Sequence, residues 1–423
     1  MSSRRIARIF LIFFVPLLLP TGLFAGGSDT TISANVLQQH ASLSLQGKPL
    51  FQKYCSHCHG MSGQGDGFNA EYLDKEPADL SDHKFIGKKT NHQMYRVIKM
   101  GGAAIKKSHL MPVFGGTLSE MEIWSLVAYI RDLAEDETHP VLPPEGASAE
   151  RPEQPSLTNQ DITAFSTSFS ETGSEENLTV HGHKLFVKKK SCLACHSLDE
   201  EGGRVGPDLS RAGSLYPPEW LYAWIKQPHE FRPESIMPNM ILDDADVKDL
   251  VIFLSGLKEE NNSDEDPWKV LLETEGDAGR GEAILNDPEG VAYCSKCHQV
   301  GGRGGEVGPD LSRVGSSRTR RFLLESILDP SAVITSGFAT MMILTKERQF
   351  ITGIKKNEDE NSVVVVDKEG KVKTIAKDTI KKFKTQKIST MPSNFKDLLN
   401  DQDVADLLAY LQTLTHPIFA REN

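Results

Sequence analysis

Apolar residues recur along this 423-residue chain in a helical pattern that is repeated three times. In each repeat a short amphipathic helix comes first, and an apolar helix with an aromatic side chain comes last. The pattern predicts a mainly α-helical chain with three domains, at residues 44–134, 177–258 and 276–418. The first helix contains a glycine followed by bulky apolar residues, and the last contains the aromatic: Gly47, Phe51 and Tyr129; Gly182, Phe186 and Phe253; Gly281, Ile284, Leu285 and Tyr410.

The third repeat contains an additional stretch, about residues 338–388, with the alternation of β-strands. Four segments there alternate or are β-branched, at residues 339–345, 350–355, 362–367 and 372–376, and polar turns separate them. We expect a small antiparallel sheet or barrel inserted into the third domain.

The N-terminus has the pattern of a secretory signal peptide. Arg4, Arg5 and Arg8 precede an apolar run at residues 9–19, and residues 21–25 resemble a cleavage site. The run is short and is interrupted by prolines, unlike a membrane span. We expect residues 1–25 to be a cleaved signal; the alternative is an uncleaved segment that associates the chain with a membrane.

Composition predicts two linkers between the domains. Residues 135–176 are rich in Pro, Glu, Ser and Thr with little apolar periodicity, which favours a flexible linker. Residues 259–275 form a shorter acidic linker. The second and third domains are therefore expected to lie closer together than the first and second.

Charge narrows the set of partners. The chain has 47 basic and 58 acidic residues, a net charge of -11, and removal of three arginines with residues 1–25 makes it -14. Such a chain lacks the charge of a nucleic-acid-binding protein. Residues 338–388 are the exception, with twelve basic and seven acidic residues. This basic segment either steers an acidic redox partner or protects the sheet edges from aggregation.

All six cysteines belong to three copies of Cys-x-x-Cys-His. Two thiols on one helical turn can add to the two vinyl groups of a heme, and the next histidine binds its iron. Zinc sites usually pair two such knuckles, and thioredoxin-like motifs need a βαβ setting. Neither explains three histidines at the same offset, so the sequence predicts three covalently bound hemes c. The predicted residues are Cys55, Cys58 and His59; Cys192, Cys195 and His196; Cys294, Cys297 and His298.

The order of heme motif, proline, Met-Pro pair and final apolar helix resembles class I cytochrome c domains. In that family the first and last helices cross near the heme, so the resemblance implies three tandem class I-like domains. The runs at residues 307–311, 324–331 and 389–392 of the third domain resemble the heme-binding domain of planctomycete cytochromes c. Covalent heme attachment in such proteins takes place outside the cytoplasmic membrane, which implies a periplasmic location.

The resemblance also assigns the second contact of each histidine. In class I domains a proline carbonyl accepts a hydrogen bond from the far nitrogen of the ligand histidine. Pro207 and Pro309 each lie eleven residues after their histidine, and Pro77 is the expected counterpart in the first domain, eighteen residues after His59. The alternative is that these prolines only form turns.

A Met-Pro pair precedes the last helix of every domain, which indicates a methionine as the sixth iron ligand. A thioether ligand raises the reduction potential, as suits an electron carrier. The predicted ligands are Met111, Met237 and Met391. The competing candidates are Met100 and His109 in the first domain, Met240 in the second, and Met341 or Met342 in the third.

These features favour electron transfer without substrate chemistry. A carrier of this kind takes electrons from a donor dehydrogenase or complex and passes them to an acceptor cytochrome or oxidase. One alternative is a heme enzyme or enzyme subunit, such as a peroxidase, with one open site in the first domain. Residues 60–67 argue against it, since they resemble electron-transfer subunits of oxidases and reductases. The other alternative is a docking subunit of a respiratory complex that binds through the β insertion.

Overall fold

The computed structural model describes residues 33–106, 108–172, 176–258, 267–335, 337–359 and 361–419. The predicted signal peptide lies outside the described residues, and so does the first part of the acidic linker. The chain is mostly helical, with small antiparallel sheets. Its helices surround three hydrophobic cores. We name the corresponding parts the first unit (residues 33–134), the second unit (159–258) and the third unit (267–419).

The first unit begins with a long helix that ends at the first heme motif. Its helices are α1 (Ala34–Tyr54), α2 (Ser56–His59), α3 (His83–Ile86), α4 (Asn91–Met100) and α5 (Glu120–Leu133). A reciprocal cap determines where α5 begins, because Ser119 accepts a hydrogen bond from the Glu122 amide and Glu122 accepts one from the Ser119 amide. Helix α4 begins with the same arrangement at Thr90 and Gln93.

A buried ion pair closes the C-terminal end of α5. Arg131 Nη1 lies 2.5 Å from Asp136 Oδ2, and neither side chain is exposed. The guanidinium also donates to the side chain of Asn91, which ties α4 to α5. Burial alone would raise the pKa of the Asp136 carboxyl. Hydrogen bonds from Thr138 and His139, with the charge of Arg131, outweigh burial and lower that pKa to about 2.

The second and third units repeat this helical arrangement. The second contains α6 (Asn159–Thr172), α7 (Glu176–Lys184), α8 (Ala212–Leu215), α9 (Pro218–Lys226), α10 (Pro228–Phe231) and α11 (Asp244–Gly256). The third contains α12 (Lys269–Glu273), α13 (Ala278–Asn286), α14 (Val314–Ser317), α15 (Arg320–Leu328), α16 (Phe395–Leu398) and α17 (Asp401–Thr413).

In each unit the helix that precedes the heme motif crosses the last helix at a glycine, as the resemblance implied. A Cβ atom on Gly47 of α1 would lie 2.0 Å from the Ser125 carbonyl oxygen of α5. The crossing of α7 with α11 is equally close at Gly182, and that of α13 with α17 at Gly281. Real Cβ atoms do not approach a carbonyl to this distance, so only glycine lets the helices pack here. The predicted aromatics lie at the same crossings, next to the three glycines: Tyr129, Phe253 and Tyr410.

Five strands of the third unit form one antiparallel sheet in the order β8-β7-β6-β5-β9. Strands β5 to β8 coincide with the four predicted segments, but β9 was not predicted, because its lysines obscure the alternation. Two short hairpins precede this sheet in the chain, one after each of the second and third heme motifs. The strands are β1 (Ser197–Leu198), β2 (Glu201–Gly202), β3 (Gln299–Val300), β4 (Arg303–Gly304), β5 (Thr340–Thr345), β6 (Phe350–Glu358), β7 (Ser362–Val366), β8 (Val372–Ala376) and β9 (Ile380–Thr385).

The large sheet packs on the third heme motif. Its own core contains Ile343 and Val365. A second apolar cluster joins Ile354 and Val366 of the sheet to Val307, and Cys297 packs against it. One side of the heme-binding turn is therefore covered by the sheet.

The segment expected to be a flexible linker differs from that expectation. Val141 is fully buried in the core of the first unit. Further along, helix α6 buries Ile162 and Phe165 in the core of the second unit, where Phe165 stacks on Tyr222 at 4.3 Å. Composition was misleading here because a few apolar residues at helical spacing, among many polar ones, are enough to pack a helix.

Both boundaries between units contain direct contacts, although the second and third units were expected to lie closer together than the first and second. Between the second and third units, Arg211 pairs with Glu325, and the Arg318 guanidinium lies 4.6 Å from the Tyr216 ring centroid. Between the first and second, the buried Asn239 amide donates 2.8 Å to Thr117 Oγ1. Among the described residues, none of the helices is long and apolar enough to cross a membrane.

Candidate heme-binding sites

Each Cys-x-x-Cys-His sequence folds into one tight turn with the same hydrogen bonds. The amide of the histidine donates to the carbonyl of the first cysteine, four residues back, at 2.9 Å in the first and second motifs and 3.0 Å in the third. The amide of the second cysteine donates to the same carbonyl, at 3.1 to 3.2 Å. This turn places both sulfurs and the imidazole on one short stretch of helix, as heme attachment requires.

The six cysteines are half-buried free thiols. Burial raises the pKa of Cys55, Cys192 and Cys195 to about 12 and that of Cys294 to about 11. A negative charge on Cys58 adds to the effect on Cys195, because these two sulfurs belong to neighbouring turns of the first and second units. Burial also raises the pKa of Cys58 and Cys297, so it favours the neutral thiol at all six positions.

The three motif histidines each donate their Nδ1 hydrogen to a backbone carbonyl. His196 lies 2.8 Å from the Pro207 oxygen and His298 lies 2.8 Å from the Pro309 oxygen, which confirms the predicted acceptors. In the first unit the prediction of Pro77 is wrong by one residue, since His59 Nδ1 lies 2.9 Å from the Ala78 oxygen. The loop between His59 and its acceptor is longer than in the other two units, since 19 positions separate the two residues rather than 11.

These contacts leave the other ring nitrogen, Nε2, for iron. Burial lowers the pKa of His59, His196 and His298, which favours the neutral ring. A neutral imidazole whose Nδ1 donates a hydrogen bond has its lone pair on Nε2, the tautomer of a metal ligand.

Glycines before the two prolines make room for the rings. A Cβ at Gly206 would lie 2.4 Å from His196 Cε1, and one at Gly308 would lie 2.5 Å from His298 Cε1. The two residues of the Gly-Pro sequence thus act differently on the histidine. The glycine leaves space for the imidazole ring, and the proline carbonyl orients the ring by accepting its hydrogen bond.

The Met-Pro pairs lie in loops before the last helices. Met111 packs against the same core as Cys55, and Met391 against the same core as Cys294. The sulfur of Met237 accepts a hydrogen bond from Trp224 Nε1 at 3.1 Å. A serine two residues earlier accepts from the methionine amide in the second and third units, at 3.1 Å in each.

Several competing ligands have other positions in the structure. Met100 is 45% exposed at the end of α4. Met341 packs against the core of the large sheet, and Met342 lies beside it in β5.

The residues present fit a c-type heme at each motif. Paired free thiols, an oriented neutral imidazole and a methionine-bearing loop recur in all three units, and in two of them glycine leaves space for the ring. When bound, heme supplies an iron that changes between Fe(II) and Fe(III).

Sequence reasoning did not identify Asn69, which links two of the heme motifs. Its side chain is fully buried and its amide nitrogen lies 3.2 Å from Cys58 Sγ and 2.8 Å from the Ala194 carbonyl oxygen. Asn69 follows a glycine-rich loop and has no periodic signal of its own. Its position close after a heme motif was the one available hint.

Comparison with known families agrees with this geometry. Residues 44–130 match the model described as cytochrome C oxidase, cbb3-type, subunit III, and residues 180–258 match the cytochrome c model. Each match contains one complete Cys-x-x-Cys-His motif, and the third motif lies outside both ranges. Two segments of the chain are therefore of the cytochrome c type, each with one heme motif.

Other comparisons add little. No curated protein matches the chain. A chain of the reducing HAO-like protein complex of Kuenenia stuttgartiensis is 17% identical, over 50% of this chain and 95% of that one, with a TM-score of 0.18. A TM-score this low supports no conclusion about fold or function.

Proposed function

We propose that this protein is a periplasmic triheme cytochrome c that carries electrons between partner proteins and has no substrate chemistry of its own. Its cytochrome c segments indicate an electron-transfer heme protein. The single observation that carries the count of three is the repeated turn in which His59, His196 and His298 each donate Nδ1 to a carbonyl. The third turn repeats the hydrogen bonds of the two turns that lie in matched segments.

The protein's part in this function would be to provide each bound heme with two fixed ligands. The carbonyls of Ala78, Pro207 and Pro309 orient the histidines, which limits rotation of the ring when the iron changes charge. A methionine from the Met-Pro loop would supply the second ligand of a bound heme. With both ligands in place, the iron would offer no position to a substrate, and electron transfer would need little rearrangement.

The helical units serve as three domains in this proposal, and the large sheet is an insertion in the third. The crossing helices form the frame of each domain, and the loops between them carry the ligands. Residues 1–25 direct the chain to the periplasm, where hemes are attached.

Strand β9 is a candidate surface for an acidic redox partner. It forms one edge of the sheet, and its Phe383 is 63% exposed between Lys382 and Lys384. An apolar side chain flanked by lysines suits a short-lived complex with a negatively charged protein, because charge speeds the encounter and the apolar contact is small. Replacing both lysines with glutamate should slow electron exchange with an acidic carrier and reverse its salt dependence. An unchanged rate would exclude this surface.

Heme counting with a carbon monoxide titration tests the main proposal. The pyridine-treated protein should contain three hemes c per chain, and the native reduced protein should not bind carbon monoxide. A count of two would remove the third domain from the proposal. Binding of carbon monoxide to the native protein would reveal an open site and favour an enzyme.

A further inference from the structure

The first and second heme-binding turns lie against each other, and a single buried side chain joins them. Asn69 belongs to the first unit and contacts the second unit with both ends of its amide. The Nδ2 group donates to the Ala194 carbonyl, and Oδ1 accepts from the Arg204 amide at 2.6 Å. Ala194 lies inside the second heme motif, directly before Cys195.

The same side chain is bound to the first motif. Its second Nδ2 hydrogen points to Cys58 Sγ, and its backbone amide donates 2.9 Å to the His57 carbonyl. A thioether sulfur is also a weak acceptor, so the contact to Cys58 suits the heme-attached form. The orientation of the amide is unambiguous, because a carbonyl faces Nδ2 and an N–H faces Oδ1.

The neighbouring backbone is shaped around this contact. A Cβ atom on Gly203 would lie 2.3 Å from the Ala194 oxygen and 2.9 Å from Asn69 Oδ1. Nearby, the Arg204 guanidinium lies 5.2 Å from the ring centroid of Tyr72 in the first unit. The two turns are thus packed together with no exposed space around Asn69.

We propose that Asn69 is a positioning residue that fixes the first and second hemes as a closely coupled pair. This inference depends on the proposed function, since it requires a heme on each motif. The hydrogen-bonded route runs from the Cys58 sulfur through the Asn69 amide to the peptide that connects Ala194 and Cys195. In each exchange one electron leaves an Fe(II), which becomes Fe(III), and reduces the Fe(III) of the other heme to Fe(II). No bond breaks and no proton moves.

The third motif has a different environment. Cys297 packs against an apolar cluster that contains sheet residues Ile354 and Val366. A polar side chain bridging two heme motifs, as Asn69 does, is thus specific to the first two turns among those the structure describes. Exchange within the pair should therefore be faster than exchange with the third heme.

The test uses the full heme-loaded protein and two substitutions. Asn69→Asp keeps the shape and the acceptor for Arg204 but cannot donate to Cys58 or Ala194. Asn69→Leu keeps a similar volume and removes all three hydrogen bonds. The control is Glu325→Gln, which weakens the ion pair with Arg211 at the other boundary.

Two readouts report on the pair. One is the redistribution of electrons among the hemes after rapid photoreduction, and the other is the magnetic interaction between oxidised hemes in the electron paramagnetic resonance spectrum. A Met391→His variant identifies the signal of the third heme, because a changed axial ligand alters that heme's spectrum.

We expect both Asn69 variants to slow exchange within the pair several-fold and to weaken its magnetic interaction, while the control leaves both unchanged. Wild-type values in Asn69→Asp with all three hemes attached would overturn the inference, even if Asn69→Leu failed to fold. A wild-type protein lacking a heme on the first or second motif would instead refute the proposed function.

Discussion

The glycine at the crossing of α13 and α17 allows a sharp test of the third unit. A Cβ on Gly281 would lie 2.0 Å from the Asp406 carbonyl oxygen and 2.8 Å from Tyr410 Cβ. Ordinary contacts are about 3.5 Å or longer, so the Gly281→Ala change requires the two helices to separate by more than about 1 Å. The Asp406 oxygen is a backbone atom, and Tyr410 Cβ is bonded directly to the backbone. Neither atom can therefore move away from the new methyl by a side-chain rotation.

Two effects of opposite sign determine the size of the change. Alanine is favoured over glycine inside a helix by about 1 kcal/mol. Overpacking typically costs about 1–3 kcal/mol, and more when backbone must move. Separation would also stretch the 2.7 Å hydrogen bond from the Asp277 amide to Asp406 Oδ1, whose side chain is almost fully buried. We therefore expect a net loss of about 2 kcal/mol in the local free energy of unfolding.

Hydrogen exchange measured by mass spectrometry gives this local value in a chain that does not unfold in one step. A loss of about 2 kcal/mol should speed exchange in α13 and α17 by roughly 30-fold, with no change in the first unit. The matched control is Gly279→Ala in the same helix, where a Cβ meets only the Asp277 side chain at 3.2 Å. If the amide hydrogens of α13 and α17 exchanged as slowly in Gly281→Ala as in this control, the close approach of the two helices at Gly281 would be wrong.

Three further predictions concern the ligands and the first unit. Gly308→Ala should displace the His298 ring, whose Cε1 would lie 2.5 Å from the new methyl, and should change the reduction potential of the third heme alone in a redox titration. Met237→Ala should lower the potential of the second heme and let it bind carbon monoxide, which the wild-type protein should not do. The lowered pKa of Asp136, about 2 against an ordinary 3.8, stabilises the fold above pH 4, and this stability is lost as the pH falls through about 2. Denaturant titrations should show a loss of roughly 2 kcal/mol over that interval, and a flat profile would contradict the assignment.

Local patterns in the sequence predicted the parts of the structure that depend on short-range geometry. The resemblance to class I domains implied that helices cross near each heme motif, and Gly47, Gly182 and Gly281 lie at these crossings. The same resemblance, applied to the two Gly-Pro sequences, identified two of the three histidine acceptors. The Ala78 acceptor was missed because the first loop has no glycine before its proline, so the ring approaches the chain one residue later. Strand β9 was missed because its lysines face solvent at the sheet edge and hide the period of two.

Contacts between units were not predictable in the same way. Asn69 is one polar residue in an irregular loop, and nothing in its neighbourhood indicates that Ala194 will lie 2.8 Å away. Helix α6 was hidden by its composition, since only Ile162 and Phe165 among its described residues become deeply buried. Such contacts depend on how separately folded surfaces meet, and that information is spread over the whole chain.

The sheet that covers the third heme-binding turn has a thermodynamic consequence. Val307, Ile354 and Val366 place hydrocarbon rather than water beside Cys297. A medium of low polarity disfavours the more highly charged oxidation state, and oxidised iron carries one positive charge more than reduced iron. We expect the sheet to raise the reduction potential of the third heme above the value that the helices of this unit alone would give it, so the inserted strands act on the energy of the electron as well as on the shape of the unit.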